Sequence, residues 1–236
     1  ALVATPNLAL ALPQLVVADP LAAFQAIACE HRRAFTGPVI GVTGSAGKTS
    51  TKNLLALLLG VTDPAGSVLA TEGNLNNHLG VPLTLTRLDA AVHRFAVIEA
   101  GISGPGDMDP LATMISAAVR PTGVAIFPTQ CATFPAFRDL AVRQMVIEPA
   151  EVLRPAAPPK DKVYFAITQR GDTTAIALAY GEPPPLHFTL HRVTDGMAQN
   201  AVLAICAALW LGLPRDLIQQ RLSAYAPAPF RGEWRR

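Results

Sequence analysis

The residues whose types and spacing point most clearly to chemistry lie between Gly41 and Lys52, where the sequence reads GVTGSAGKTSTK. A glycine-rich turn leading from a strand into a helix aims several backbone N–H groups at one place, and this arrangement binds phosphate. Lys48 adds a positive charge for nucleotide phosphates, and the Thr49 hydroxyl is a suitable Mg²⁺ ligand. The usual pattern G-x-x-x-x-G-K-[ST] needs a glycine where Val42 stands. The stretch therefore predicts a phosphate loop of a different subtype, with a chance Gly-Lys-Thr as the alternative.

Two further sets of polar residues could bind ligands. Glu99 follows the apolar stretch Phe95–Ile98, and open α/β sheets place their ligand sites at such strand ends. Asn74, Asn76 and Asn77 lie in a loop-like stretch and can offer amide donors and acceptors to a polar substrate. The residues alone leave two alternatives open, a solvated carboxylate at the strand end and an asparagine-rich turn.

An alternation of strands and helices must position these side chains. Asp19 and Pro20 predict the start of a helix that continues to about Arg33. The other predicted helices are 48–59, 196–212 and 214–225, and the predicted strands are 14–17, 38–43, 67–70, 95–100 and 123–127. Residues 156–191 change to short β-rich pieces with proline clusters, which indicate a small antiparallel annex or edge. The order predicts an α/β fold, a three-layer P-loop domain with a mostly parallel sheet and a small β-rich annex.

Composition favours a globular domain with a substantial core. Of the 236 residues, 50% are hydrophobic and 15% are charged, and the net charge of +2 does not indicate a nucleic-acid surface. Cys29, Cys131 and Cys206 are odd in number and widely spaced, which favours reduced thiols in a cytoplasmic protein. No apolar run approaches the roughly 18 residues of a membrane span, and the N-terminus lacks a signal peptide's basic region. The chain begins with Ala and stops abruptly at Trp234-Arg235-Arg236, which is consistent with a trimmed fragment.

Three stretches resemble the Mur ligase family. Thr43–Thr49, a T-G-x-x-G-K-[ST] loop, is similar to the ATP-binding loop of these ligases and of their folylpolyglutamate and cyanophycin synthetase relatives. Thr71–Leu88 (TEGNLNNHLGVPLTLTRL) and His93–Met108 (HRFAVIEAGISGPGDM) resemble two blocks of the family members that add D-alanyl-D-alanine. The resemblance covers nearly the whole chain. It implies the central one of three domains, with both outer domains mostly absent from this sequence.

The resemblance implies an ATP- and Mg²⁺-dependent amide ligase of peptidoglycan synthesis, which activates a carboxylate as an acyl phosphate for attack by an amine. Its implied substrates are a UDP-muramoyl peptide and a D-amino acid dipeptide. Lys48 and Glu99 are the implied catalytic residues, and Thr49 and Glu99 the implied metal ligands. The remaining implied contacts are Thr43, Gly44, Ser45, Ala46, Gly47, Lys48, Thr49, Ser50, Asn200 and Arg231 with ATP, and Thr71, Asn74, Asn76 and Asn77 with the UDP-linked substrate.

Two positions of the expected metal site depart from the family pattern. Pro135 stands where a second Mg²⁺-binding histidine is expected, and Pro149 stands where a carbamoylated lysine is expected. Proline can neither ligate a metal nor carry a carbamate, and no lysine occurs between Lys52 and Lys160 to replace the missing one. The candidate replacement ligands are Glu148, Glu151 and Asp139.

Two functional hypotheses therefore remain. The first is the ligase itself, and the second is a non-catalytic nucleotide-binding paralogue that acts as a scaffold or regulator. By resemblance, residues 1–18 are a remnant of the N-terminal substrate domain, 19–36 a connecting helix, 37–230 the ATPase domain and 231–236 the start of a hinge. For Arg231 in that hinge, a solvated basic tail is the alternative.

Overall fold

The computed structural model describes residues 1–7, 9, 11–63, 66–101, 104, 106, 108–116, 123–135, 139, 141–153 and 158–226. The chain divides into two compact units, one of residues 1–48 and 60–118 and one of residues 49–59 and 119–236. Within the described ranges, no helix combines the length and apolar character that crossing a bilayer requires.

The elements follow the predicted alternation closely. The strands are β1 Leu2–Val3, β2 Leu15–Val16, β3 Val39–Val42, β4 Val68–Ala70, β5 Phe95–Glu99, β6 Val124–Pro128, β7 Arg143–Pro149, β8 Lys162–Arg170, β9 Thr173–Ala179 and β10 Leu186–His191. The helices are α1 Pro20–Arg33, α2 Lys48–Leu59, α3 Gly80–Leu85, α4 Met108–Ser116, α5 Asp195–Trp210 and α6 Arg215–Ser223, and Thr129–Thr133 forms a 3-10 helix. The start of α1 is confirmed, since the Asp19 carboxylate accepts hydrogen bonds from the N–H groups of Leu21 and Ala22.

The first unit is built on a parallel three-stranded sheet in the order β3-β5-β4, besides the small β1–β2 pair. Central β5 is buried along most of its length, with no solvent exposure from Ala96 to Ile98. A parallel strand between two neighbours reads as a continuous apolar run, as this one does. The register pairs Val42 at the end of β3 with Glu99 at the end of β5. The chain therefore leaves both strands at the same edge of the sheet.

Helices α1, α3 and α4 pack into the core of the first unit. Arg32 of α1 is buried and donates hydrogen bonds to the carbonyl oxygens of Phe35 (3.0 Å) and Ile115 (3.3 Å). These bonds tie the end of α1 to the end of α4, where unpaired helix carbonyls need donors. The core residues are Ala28, Phe35, Val81, Leu85, Leu88, Ala96, Ile98, Ala100, Leu111 and Met114.

The second unit contains a five-stranded mixed sheet in the order β10-β9-β8-β7-β6. Strands β6, β7 and β8 run parallel, whereas β8, β9 and β10 are antiparallel hairpin neighbours. The antiparallel strands predicted as an annex or edge are thus the edge of this sheet. The sequence prediction missed β7. In the same unit, Arg221 of α6 donates a 2.6 Å hydrogen bond to the Leu58 carbonyl of α2.

Candidate functional site

The predicted phosphate loop connects β3 to α2. Gly44 and Gly47 have φ angles of +143° and +79°, which residues with side chains rarely adopt. A Cβ at Gly44 would lie 3.5 Å from the carbonyl oxygen of Ala46, an ordinary contact distance. Glycine is therefore required at Gly44 by the backbone conformation and not by lack of space.

Lys48 lies over the loop that it terminates. Its Nζ donates a hydrogen bond of 2.6 Å to the carbonyl oxygen of Gly44. Residues 43–46 are exposed and Lys48 is half-buried. The ammonium group and the backbone of the loop are thus presented together to solvent, where an anionic ligand can reach them.

Glu99 lies beside the start of this loop. It pairs with Val42 across the parallel strands, and the N–H of Ala100 donates to the Val42 carbonyl at 2.9 Å. The loop begins one residue after Val42, so the loop and Glu99 share one edge of the sheet. Glu99 is 1% exposed, which is unusual for a carboxylate and requires polar partners.

Two residues that follow β4 hold Glu99 from different sides. The Nδ2 of Asn76 donates to the Glu99 carboxylate at Oε1, over 2.9 Å. The Oγ1 of Thr71 accepts from the backbone N–H of Glu99, also over 2.9 Å. The segment between β4 and α3 therefore fixes both the backbone and the side chain of Glu99.

This geometry agrees with a match between residues 42–126 and the model of the Mur ligase middle domain family. These residues carry the sequence pattern of a Mur ligase middle domain. The matched residues include the phosphate loop from Val42 onward, the segment that holds Glu99, and Glu99 itself. The family predicted from the sequence is confirmed.

This chain is also similar to individual Mur ligases. Over 99 residues it is 46% identical to a UDP-N-acetylmuramoyl-tripeptide–D-alanyl-D-alanine ligase of Synechocystis, an alignment that covers 42% of this chain and 21% of that ligase. A crystal structure of MurF from Acinetobacter baumannii superimposes with a TM-score of 0.78 at 26% identity, covering 96% of this chain and 54% of that chain. MurF from Thermotoga maritima in complex with ADP superimposes with a TM-score of 0.65 at 20% identity, covering 98% and 58%. These structures confirm the α/β fold class, and the chain spans about half the length of these solved relatives.

The residues predicted to bind the substrate make different contacts in the structure. Thr71 is 1% exposed and bonded to Glu99, so the structure shows it as a support of Glu99. The Oδ1 of Asn77 accepts from the N–H groups of Leu79 (3.1 Å) and Gly80 (2.9 Å) at the start of α3, which is the turn-forming role that the sequence left open. Asn74 is exposed. Contact of these residues with a UDP-linked substrate stays a prediction.

The other predicted ATP and metal contacts lie elsewhere in the chain. Thr49 and Ser50 are in the first turn of α2, in the part of that helix that belongs to the second unit. Asn200 is half-buried in α5 of the second unit. Arg231 lies outside the described residues. The roles proposed for these four residues stay predictions.

The candidate replacement metal ligands are differently placed. The Glu148 carboxylate forms a 2.9 Å ion pair with the Lys162 ammonium, while Glu151 and Asp139 are exposed. The hydrogen bond and charge of Glu148 raise the pKa of Lys162 above its ordinary value of 10.5. Across the part of the chain that the structure describes, no three His, Cys, Asp or Glu side chains come together as a metal-binding group.

Sequence reasoning missed the residue that shapes the contact between Asn76 and Glu99. A Cβ at Gly101 would lie 3.0 Å from Cγ of Asn76 and 3.1 Å from its Nδ2 and Oδ1. The glycine two residues after the carboxylate thus leaves room for the carboxamide. The sequence shows a glycine two residues after Glu99, but it does not show that Asn76 packs against this glycine.

Proposed function

We propose that the chain is the ATP-binding part of a ligase that joins D-alanyl-D-alanine to a UDP-muramoyl peptide in the cytoplasm. One observation carries the proposal: Lys48 and the phosphate loop share an edge of the sheet with buried Glu99. The names of the relatives support this reaction. The cysteines Cys29, Cys131 and Cys206 are free, in agreement with a reducing compartment.

The residues of the loop fit the phosphates of ATP. Gly44 and Gly47 give the backbone the turn that directs N–H groups to a common point, and Lys48 adds the positive charge. Binding a phosphate here needs only that the lysine exchange a neutral carbonyl for an anionic oxygen, which is the stronger acceptor. We include Thr43, Ser45, Ala46, Ser50, Asn200 and Arg231 in the proposed nucleotide contacts.

Glu99 fits Mg²⁺ better than it fits other common metals. Mg²⁺ is a hard cation that uses one or two carboxylates, substrate phosphates and several waters, and it does not need a cage of protein ligands. One buried carboxylate beside a phosphate loop matches that requirement, whereas zinc would need a group of His, Cys or carboxylate side chains that the described residues do not form. We include the hydroxyl of Thr49 as a second protein ligand. When bound, Mg²⁺ neutralises charge on the phosphates during transfer.

The residues of the chain would act by placing charge. Lys48 holds the phosphates against the loop, and water screens the interaction of a cation with the Glu99 carboxylate only weakly, because Glu99 is buried. Transfer of a phosphoryl group to a carboxylate depends mainly on positioning and charge neutralisation. The proposed product is an acyl phosphate, from which an incoming amine displaces phosphate to form an amide.

Binding of a non-hydrolysable ATP analogue tests the nucleotide part of this proposal. We expect calorimetry to show that the chain binds the analogue more tightly with Mg²⁺ than without it. Lys48→Ala should weaken the binding at least about tenfold, since a charge-assisted contact to phosphate is worth roughly 1.5–3 kcal/mol. The absence of binding to the unchanged chain would contradict the proposal.

A non-catalytic nucleotide-binding role is the second candidate. The observation in its favour is that Pro135 and Pro149 replace expected ligands and that Glu148 is already paired with Lys162. The two candidates differ in turnover: a protein containing this chain together with the remaining regions of the ligases should release phosphate when given both substrates and ATP. Nucleotide binding without any phosphate release would favour the second candidate.

A further inference from the structure

Three asparagines lie within four residues of each other, and the structure gives only one of them a contact with Glu99. Asn74 is exposed, and its backbone carbonyl accepts from the N–H of Asn76 at 2.8 Å. The side chain of Asn77 accepts hydrogen bonds from the N–H groups of Leu79 and Gly80 at the start of α3. Asn76 alone directs its carboxamide at the Glu99 carboxylate, 23 residues further along the chain.

The backbone of Asn76 is fixed independently of its side chain. Its N–H is bonded to Asn74, and its carbonyl oxygen accepts from the N–H of Gly101 at 2.7 Å. The loop that carries it is further secured by Gly80, where any Cβ would overlap the backbone of Leu75. The position of the carboxamide is thus set by backbone contacts on both sides.

The space beside the Asn76 carboxamide is restricted on the side of Gly101. Gly101 lies against the flat group, and a methyl group at that position would come within 3.0–3.1 Å of its three polar-end atoms. Distances in that range require the neighbour to move. With glycine at this position, the carboxamide has room to lie against residue 101 while its Nδ2 faces Oε1 of Glu99.

The chemistry of this contact suits a metal-binding carboxylate. Asparagine is neutral, so it orients the carboxylate by one hydrogen bond without cancelling its charge. Groups that orient metal ligands in this way typically affect metal affinity by about 10–100-fold. We propose that Asn76 is a positioning residue that fixes the Glu99 carboxylate for Mg²⁺, with Gly101 as the neighbour that makes its orientation possible. This inference rests on the proposed function, and it changes the role predicted for Asn76 from contact with the UDP-linked substrate.

The test compares Asn76→Ala with the matched control Asn74→Ala in the same loop. Asn76→Ala removes the carboxamide but keeps both backbone hydrogen bonds, so folding should be preserved. For each variant, calorimetry measures the affinity for a non-hydrolysable ATP analogue with and without Mg²⁺. The ratio of the two affinities is the Mg²⁺-linked gain, which a merely structural change would not lower selectively.

We expect Asn76→Ala to lower the Mg²⁺-linked gain about tenfold while affinity without Mg²⁺ stays within about twofold. Gly101→Ala, which crowds the same carboxamide from the other side, should lower it in the same direction, and Asn74→Ala should leave it unchanged. A normal gain in Asn76→Ala, or an equal loss in Asn74→Ala, overturns the inference and leaves the proposed function standing. Failure of the unchanged chain to show any gain overturns both.

Discussion

Glu99 and Glu148 both lie near the ends of parallel strands, but the two units of the molecule treat them in opposite ways. In the first unit, Glu99 is 1% exposed and is held by a neutral carboxamide and a backbone bond to Thr71. In the second unit, the Glu148 side chain is 34% exposed and forms an ion pair with Lys162 of the adjacent strand. The contact from Asn76 brings no charge to the first carboxylate, whereas Lys162 brings a positive charge to the second.

The difference shows that position in the fold does not define a metal ligand by itself. A strand end in an α/β sheet supplies a place for a carboxylate, but its neighbours decide whether the charge remains available. A neutral partner orients the group, while a cationic partner both orients it and competes with a metal for it. By this criterion Lys162 competes with a metal for Glu148, whereas the Asn76 carboxamide does not compete for Glu99.

The largest effect should come from removing the charge of Glu99. Glu99→Gln keeps the shape of the side chain and an oxygen that can accept from Asn76. It loses the negative charge that attracts the cation, so the Mg²⁺-linked gain in nucleotide affinity should fall by at least about tenfold, the lower bound for loss of even a supporting residue. Calorimetry with and without Mg²⁺ measures this. An unchanged gain would show that the buried carboxylate is structural and would remove the contrast with Glu148.

The second support of Glu99, the Thr71 hydroxyl, should contribute to the stability of the fold. Thr71→Val is nearly isosteric but removes the oxygen that accepts from the Glu99 N–H, whereas Thr71→Ser keeps it. Loss of an acceptor for a buried donor costs about 1–3 kcal/mol. Denaturant unfolding should therefore show this loss of stability in the valine variant and a smaller one in the serine variant. Equal stabilities of the two variants would mean that the hydroxyl does not hold the strand end.

The smallest effect on Mg²⁺ binding is expected at Glu148. Because its carboxylate is paired with Lys162, Glu148→Gln should change the Mg²⁺-linked gain by less than about twofold, well below the effect of losing a supporting residue. A large loss would instead identify Glu148 as a metal ligand and contradict the contrast.

The effect of Glu148→Gln on stability should depend on pH. Glu148 raises the pKa of Lys162 above 10.5, so the stabilisation from this pair is fully present below the ordinary pKa and is lost as the pH rises through the raised one. Unfolding of the wild type and Glu148→Gln should differ slightly at pH 8, and the difference should disappear at strongly alkaline pH. An NMR titration of Lys162 should show its pKa moving down in the variant.

Much of the structure around the candidate site could be predicted from local signals. Helix α2 runs over Lys48–Leu59 as predicted, because a glycine with positive φ ends the loop directly before an apolar helical pattern. Helix α1 begins after Asp19 as predicted, because the cap and Pro20 are both local signals. Glu99 was placed at a strand end because β5 is a continuous apolar run.

The remaining features depend on contacts between distant residues. The three asparagines of the loop are identical in type, and only the fold brings one of them to Glu99. Strand β7 was missed because its sequence RQMVIEP has polar ends and a final proline, which are poor strand signals. Helix α3 contains Pro82 and two β-branched residues, so its helical character was not evident from propensity.

The hydrogen bond from Lys48 to Gly44 has a consequence for how fast a ligand can bind. A free lysine side chain samples many rotamers, and ordering it costs up to about 2 kcal/mol. Here that ordering is completed when the protein folds, since the ammonium is already held 2.6 Å from the loop carbonyl. An arriving polyphosphate therefore meets a cation that is already in place, and the encounter does not have to wait for a search by the side chain.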